Sequence, residues 1–72
     1  MAKSDNIEID GVVREALPGT MFKVAIGHGH IVLAQLAGKL RMNNIRITVG
    51  DNVLLEVSPY DLTKGRIIWR KS

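Results

Sequence analysis

The stretch Gly38-Lys39-Leu40-Arg41-Met42-Asn43-Asn44-Ile45-Arg46 interrupts an otherwise alternating pattern of apolar and polar residues. Strong strand formers are absent from positions 38 to 44, whereas Lys, Leu, Arg and Met favour helices. We therefore predict a helical turn or short helix here, connecting two strands. Three residues of this connector, Lys39, Arg41 and Arg46, are cations, so it is also the first candidate for function.

Five strands are predicted around the connector. The first three cover residues 7–17, 21–26 and 30–37, and the last two cover 53–58 and 66–71. Turns are expected at 18–20, 27–29 and 49–52, and a longer loop at 59–65 that a glycine closes. Gly11, inside the first strand, predicts a bulge or a sharp bend. The third strand is apolar on both faces, so we expect it to be central and largely covered.

Five strands with one helical segment after the third are the element order of the OB-fold, a five-stranded Greek-key barrel. The predicted fold class is therefore all-β. An SH3-like barrel also has five short strands, but the helical connector favours the OB-fold. A chain of 72 residues has no room for a second core. We expect one domain over residues 1–72, with residues 1–6 as a mobile N-terminal arm.

The composition excludes several kinds of site. Cysteine is absent, so disulfides and thiolate metal sites cannot form, which fits a reducing cytoplasm. The polar N-terminus is not a secretory signal, and no apolar run is long enough to span a membrane. His28 and His30 have a metal-binding spacing but no acidic neighbour, so we interpret them as turn and strand-start residues. We find no catalytic constellation, and expect no enzyme activity, metal or cofactor.

The cations are unevenly placed, because seven of the ten fall in two segments. They are Lys39, Arg41 and Arg46 in the connector, and Lys64, Arg66, Arg70 and Lys71 in and around the last strand. The first 37 residues hold more acids than bases. In an OB-fold the two segments can approach one face, where they would bind phosphate groups. This predicts nucleic-acid binding; the alternative is a solvated basic surface without a partner.

Only three aromatic residues occur, which is too few for a general single-strand binder with rows of stacking rings. Phe22 is expected in the core, and Tyr60 could pack under its loop. Alternation in the last strand places Ile67, Trp69 and Lys71 on one side, and large rings are usually mostly buried, so packing of Trp69 is favoured over stacking on a base. Recognition of a folded RNA by shape and phosphate position fits better.

Five segments resemble bacterial translation initiation factor 1, a family of S1-like OB-folds. They are Asp5-Asn6-Ile7-Glu8, Gly38-Lys39-Leu40-Arg41, Ile45-Arg46-Ile47, Gly50-Asp51 and Ser58-Pro59-Tyr60-Asp61-Leu62-Thr63-Lys64-Gly65-Arg66-Ile67. The resemblance runs from end to end of the chain, and its last segment is specific. It implies a factor that binds the small (30S) ribosomal subunit at the decoding (A) site. There it would contact 16S rRNA and a neighbouring ribosomal protein, exclude tRNA, and act with initiation factors 2 and 3.

The resemblance also implies no nucleotide hydrolysis by the factor itself, and we expect a monomer when it is free. The candidate RNA-binding residues are Lys39, Arg41, Asn43, Asn44, Arg46, Lys64, Arg66 and Arg70. Met42 stands where the family can have a cation, and Asn44 where it can have an aromatic residue or His, so stacking at position 44 is in doubt. Two alternatives stay open: a cold-shock-like RNA chaperone on the same fold, and a protein-interaction module that uses the third strand as an edge.

Overall fold

Six elements follow one another along the chain, in a computed structural model that describes residues 6–27, 29–43 and 45–71. They are β1 (Ile7–Leu17), β2 (Met21–Ile26), β3 (His30–Leu36), α1 (Gly38–Met42), β4 (Asn52–Ser58) and β5 (Asp61–Arg70). The prediction of five strands with a helix after the third is confirmed. Residues 1–5 of the expected arm and Asn44 of the connector lie outside the described residues, and no helix in the described ranges could cross a membrane.

The strands close into a barrel in the order β1-β2-β3-β5-β4, with β4 pairing back to β1. Only β3 and β5 are parallel among the described pairs, with Leu33–Leu36 alongside Lys64–Ile67. The predicted all-β OB-type barrel is confirmed. Because β3 lies between β2 and β5, it is not an edge strand. This removes the structural basis for a module that recruits a partner along that strand.

The core is formed by alternate residues of every strand, as a period of two requires. Its largest fully buried side chains are Val13, Val24, Val32, Val53, Leu55, Val57 and Ile67. Leu40 of α1 and Ile47 of the following segment join the same cluster. The connector is therefore part of the hydrophobic core as well as a link between strands.

The expectation that β3 is covered on both faces is wrong. Val32 and Ala34 are buried inside the barrel, but Ile31 and Gln35 on the outer face are exposed. In a barrel the outer face of a strand is covered only if another element lies against it. Here α1 packs toward β5 and leaves the outer surface of β3 open.

The irregularity predicted in β1 lies three residues beyond Gly11. The register of β1 against β2 shifts between Val13 and Glu15, so the bulge is at Arg14. Gly11 has another role, because it pairs with β2 on one side and β4 on the other. A Cβ there would lie 2.5 Å from Val24 Cγ1, so only glycine permits this approach.

The predicted loop at 59–65 is mostly strand. Ser58 pairs with Asp61 across a two-residue turn, so β5 begins five residues earlier than expected. Asp61 Oδ1 accepts a hydrogen bond from the Thr63 backbone N–H at 3.1 Å, which orders the start of the strand. The sequence of this segment does not alternate, and its pairing with β4 is a tertiary effect.

Candidate nucleic-acid interface

The connector is held against β5 by its apolar residues and its backbone. A helix of five residues is too short to be stable alone. Leu40 is only 3% exposed, and the Ala37 N–H donates to the Ile67 carbonyl at 2.9 Å. The Ile45 N–H donates to the Leu40 carbonyl at 3.0 Å. Tertiary contacts thus fix the position of the connector.

Burial of Leu40 turns its sequence neighbours toward solvent. Lys39, Arg41 and Asn43 are exposed, and the two cations lie in the last turn, where they interact favourably with the helix dipole. Arg46 is exposed between Ile45, which is partly buried, and Ile47, which is buried. Alternation resumes over these three residues as expected, although no strand forms.

The three connector cations have no internal partner among the residues that the structure describes. Within residues 6–27, 29–43 and 45–71, none of Lys39, Arg41 and Arg46 makes an ion pair or a side-chain hydrogen bond. Their full charge is therefore available to a ligand. Asn43, also in the predicted set, is exposed beside them, and Asn44 lies outside the described residues.

Trp69 is 58% exposed, so the expectation that its ring is mostly buried is wrong. The reason is a bulge in β5. Leu55 pairs with Ile67 and Leu54 pairs with Trp69, which leaves Ile68 as the extra residue. The bulge reverses the alternation, so that Trp69 no longer shares a side with Ile67.

A small hollow of about 130 Å³ lies where the connector meets the end of β5. It is lined by Leu40, Ile45, Trp69 and Arg70, and we call it the junction hollow. It thus joins apolar side chains of the connector to the exposed ring and the guanidinium of β5. The structure therefore brings Arg70 together with the connector, as the sequence predicted.

Arg70 makes an ion pair through one nitrogen. Its Nε lies 3.3 Å from Asp51 Oδ2, and the same oxygen accepts the Thr48 backbone N–H at 2.9 Å. That N–H, followed by the nearby Arg70 charge, holds the pKa of Asp51 below its ordinary value. The carboxylate is therefore charged at neutral pH and is shared between the turn and the arginine.

Lys64 and Arg66 belong to a second hollow of about 270 Å³, whose lining includes Gln35, Glu56 and Ser58. Arg66 Nη2 lies 3.2 Å from Glu56 Oε1. The second hollow shares no lining residue with the junction hollow. That all seven cations form one patch therefore stays a prediction.

The remaining candidates have structural positions. Lys71 Nζ binds Asp10 Oδ1 at 2.8 Å, and His30 Nε2 lies 2.9 Å from the Leu62 carbonyl oxygen. His28 lies outside the described residues, in which no group of three or more His, Cys, Asp or Glu could hold a metal ion. Phe22 is in the core as expected. Tyr60 is 86% exposed, so it does not pack under its loop.

Sequence reasoning missed two features of this surface. Exposure of Trp69 depends on the bulge at Ile68. Isoleucine is an ordinary strand former, so the residue types of β5 do not predict a bulge there. Pairing of Asp51 with Arg70 joins the turn before β4 to the end of β5, two segments that are far apart in the sequence. The Gly50-Asp51 turn was predicted, but its partner was not.

Comparison with known proteins identifies a family whose model matches this sequence. The family model described as "Translation initiation factor 1A / IF-1" matches residues 1–72, the whole chain. The chain is similar to the solution structure of translation initiation factor 1 from the Wolbachia endosymbiont strain TRS of Brugia malayi. The two share 38% identity with a TM-score of 0.80, over 99% of this chain and 84% of that one.

A second solved structure shares the barrel within a larger protein. It is the crystal structure of YjeQ from Thermotoga maritima, with 28% identity and a TM-score of 0.73 over 92% of this chain. The match spans only 23% of YjeQ, so that likeness concerns the barrel. The full-length family match and the likeness to a solved factor of similar size lead to one conclusion: this chain belongs to the translation initiation factor 1A / IF-1 family.

Proposed function

We propose that this factor binds the small ribosomal subunit at its decoding (A) site, contacts 16S rRNA there, and keeps tRNA out of that site during initiation. Membership of the family already implies a translation factor associated with the ribosome, and the family is not a class of enzymes. The observation that carries the finer proposal is a group of exposed connector cations, Lys39, Arg41 and Arg46, that have no partner within the described part of the chain. They belong to the same connector that lines the junction hollow with the exposed Trp69.

Charge pairing separates the cations into two groups. Within the described part of the chain, four cations lie within 4 Å of a carboxylate oxygen: Lys23, Arg66, Arg70 and Lys71. The three connector cations do not, and neither do Arg14 and Lys64. An exposed ion pair is worth only about 0–1 kcal/mol, so phosphate can compete for its cation. Free cations need no such exchange. We therefore infer that the connector supplies the first phosphate contacts and that Arg66 and Arg70 add to them.

The partners follow from the same proposal. A neighbouring ribosomal protein would share the site, and initiation factors 2 and 3 would act with this factor on one subunit. The free protein would be a cytoplasmic monomer. The mechanism is steric exclusion of tRNA together with a change in subunit conformation, without any chemical step by this chain.

Binding of the labelled protein to purified small subunits across a salt series tests the proposal. We expect saturable binding that weakens steeply with salt and is blocked by ligands of the decoding site. Large subunits and free rRNA fragments are the controls. Equal binding to any RNA would favour the cold-shock-like chaperone, and absence of binding to small subunits would refute the proposal.

A pair of arginine variants tests the role of the connector. Arg41→Ala removes a free cation of the connector, and we expect weaker binding with a salt slope smaller by about one unit. Arg14→Ala is the matched control, because Arg14 is also exposed but lies at the β1 bulge, away from α1 in the chain. The same loss of slope in both variants would show a general charge effect and not a contact surface.

A further inference from the structure

Asp51 contacts the guanidinium of Arg70 at Nε and not at its two terminal nitrogens, which are the donors that would bind a ligand. The ion pair of Arg70 with Asp51 uses Nε at 3.3 Å, and the terminal nitrogens of Arg70 make no hydrogen bond within the described part of the chain. Arginine binds phosphate or a carboxylate best through two parallel N–H donors. An ion pair at Nε restrains the side chain and leaves the end-on pair of terminal nitrogens available to a ligand.

Asp51 can impose an orientation because it is itself fixed. Its side chain is 14% exposed, and Oδ2 accepts the Thr48 N–H at 2.9 Å. The Asp51 N–H donates back to the Thr48 carbonyl at 3.1 Å, and the Asp51 carbonyl accepts the Val13 N–H at 3.0 Å. The Gly50 N–H donates to the Val13 carbonyl at 2.8 Å. The carboxylate is therefore tied through the turn to β1 of the barrel.

We propose that Asp51 is a positioning residue, which orients the guanidinium of Arg70 beside the junction hollow so that its terminal nitrogens meet an RNA phosphate or a guanine edge. The inference rests on the proposed function, because it assumes that the surface binds RNA. Arg70 lines the hollow together with Trp69, so a fixed guanidinium would present its donors next to an exposed ring.

The other arginine ion pair in the described part of the chain has a different geometry. Arg66 donates to Glu56 Oε1 through Nη2, so this pair takes one of the two terminal nitrogens that would bind phosphate together. Glu56 thus competes with RNA for Arg66, whereas Asp51 leaves both terminal nitrogens of Arg70 available to RNA. The two carboxylates are expected to act on RNA binding in opposite directions.

Asp51 has two opposing effects on RNA binding, and their balance decides whether removal of its charge strengthens or weakens binding. The negative charge of Asp51 repels phosphate, so its removal should strengthen binding if charge alone matters. Loss of the Nε contact frees the long Arg70 side chain to adopt many rotamers, which must then be ordered on binding. If Asp51 positions Arg70, the cost of ordering the freed Arg70 side chain is the larger effect, and removal of the Asp51 charge weakens binding.

Asp51→Asn is the informative variant. Asn is also favoured in such turns and can still accept the Thr48 N–H, but it holds a guanidinium less strongly because it is neutral. We expect it to bind purified small subunits about three- to tenfold more weakly, a range typical of coupled neighbours. Asp10→Asn is the control: it makes the same charge change at the exposed Asp10–Lys71 pair, and we expect unchanged or tighter binding.

A double-mutant cycle separates positioning from a structural role. In the Arg70→Ala background, Asp51→Asn should no longer weaken binding, because there is no guanidinium left to orient. The order parameter of the Arg70 Nε–H in the free protein should fall in Asp51→Asn, because the ion pair that restrains the side chain is weakened. Backbone amide spectra of both variants report whether the barrel is intact.

Distinct outcomes overturn the two proposals. Absence of wild-type binding to small subunits refutes the proposed function and this inference with it. Wild-type binding that Arg70→Ala weakens and Asp51→Asn leaves equal or tighter refutes only the positioning of Arg70. Weakening by Asp51→Asn to the same extent in both backgrounds also refutes it, since Asp51 would then act through the turn alone.

Discussion

Gly65 lies where β3, β4 and β5 leave no room for a side chain. A Cβ there would be 2.8 Å from the Glu56 carbonyl oxygen, 2.8 Å from Val57 Cγ1 and 3.2 Å from Val32 Cγ1. The nearest of these atoms include backbone, which cannot move without disturbing strand pairing. A glycine at this position is what allows β5 to run between its two neighbours.

We expect Gly65→Ala to destabilise the protein by about 1–3 kcal/mol through overpacking. Gly38→Ala is the matched control, because a Cβ at Gly38 meets nothing within 4 Å and alanine favours a helix by up to about 1 kcal/mol. Urea unfolding of both variants measures the difference. A Gly65→Ala protein as stable as the wild type would show that β5 can move away from β4 at low cost.

At the scale of elements, α1 depends on the barrel for its stability. It has five residues, and its terminal hydrogen bonds include Arg41 N–H to the Ala37 carbonyl at 3.2 Å and Asn43 N–H to the Lys39 carbonyl at 3.1 Å. Leu40 is its only buried residue. Local opening of such an element costs far less than global unfolding.

Amide hydrogen exchange should therefore be faster at Arg41 and Asn43 than in the centre of β2, for example at Val24, which is fully buried. Binding of the small subunit should slow exchange in α1 selectively, because the connector would then lie at an interface. Measurement by NMR in the free protein and by mass spectrometry in the complex checks both parts. Equal protection of α1 and β2 in the free protein would contradict the expected local opening.

The turn from Thr48 to Asp51 predicts an acid response. The Thr48 N–H lowers the folded-state pKa of Asp51, and contacts with Thr63 lower that of Asp61. A depressed folded-state pKa contributes stability above the unfolded value of about 3.9, and that contribution is lost as pH falls through the folded value. The protein should therefore lose stability below about pH 4.

Thermal unfolding from neutral pH down to acid measures this loss. Asp51→Asn should be less stable than the wild type at neutral pH and should lose less stability on acidification, since one of the two carboxylates is gone. Parallel curves for the two proteins would show that Asp51 does not contribute to the acid response.

At the scale of the whole molecule, stability and binding should respond differently to salt. Hydrophobic side chains fill the barrel, and no charged or polar residue in the described ranges is buried. The four ion pairs found between described residues are all at least partly exposed, so each contributes little. RNA binding through phosphates, in contrast, releases counterions and depends steeply on salt.

Raising the salt concentration from about 50 to about 200 mM should thus change the unfolding midpoint only slightly. The same change should weaken small-subunit binding by about 20- to 150-fold for about three to four phosphate contacts. Calorimetry and binding titrations in the same buffers measure the two responses. A midpoint that fell as steeply as the affinity would mean that the ion pairs are essential to the fold.

Much of the candidate surface could be predicted from local sequence. Helix-forming residues without alternation identified the connector, and clustering of Lys39, Arg41 and Arg46 identified its charge. Both are properties of neighbouring residues, which a sequence displays directly. The positions of Lys64 and Arg66 around a separate hollow could not be predicted, because they depend on the pairing of β5 with β3 and β4.

The barrel class, the order of its elements and the location of the basic connector can be predicted from the sequence alone, because periodicity and local propensity are encoded in adjacent residues. Three features follow instead from the folded barrel: Trp69 is exposed, β5 begins at Asp61, and Asp51 pairs with Arg70. These features depend on strand register and on one bulge at Ile68. Register is set by packing between residues far apart in the chain, and a shift of one residue moves every following side chain to the other face.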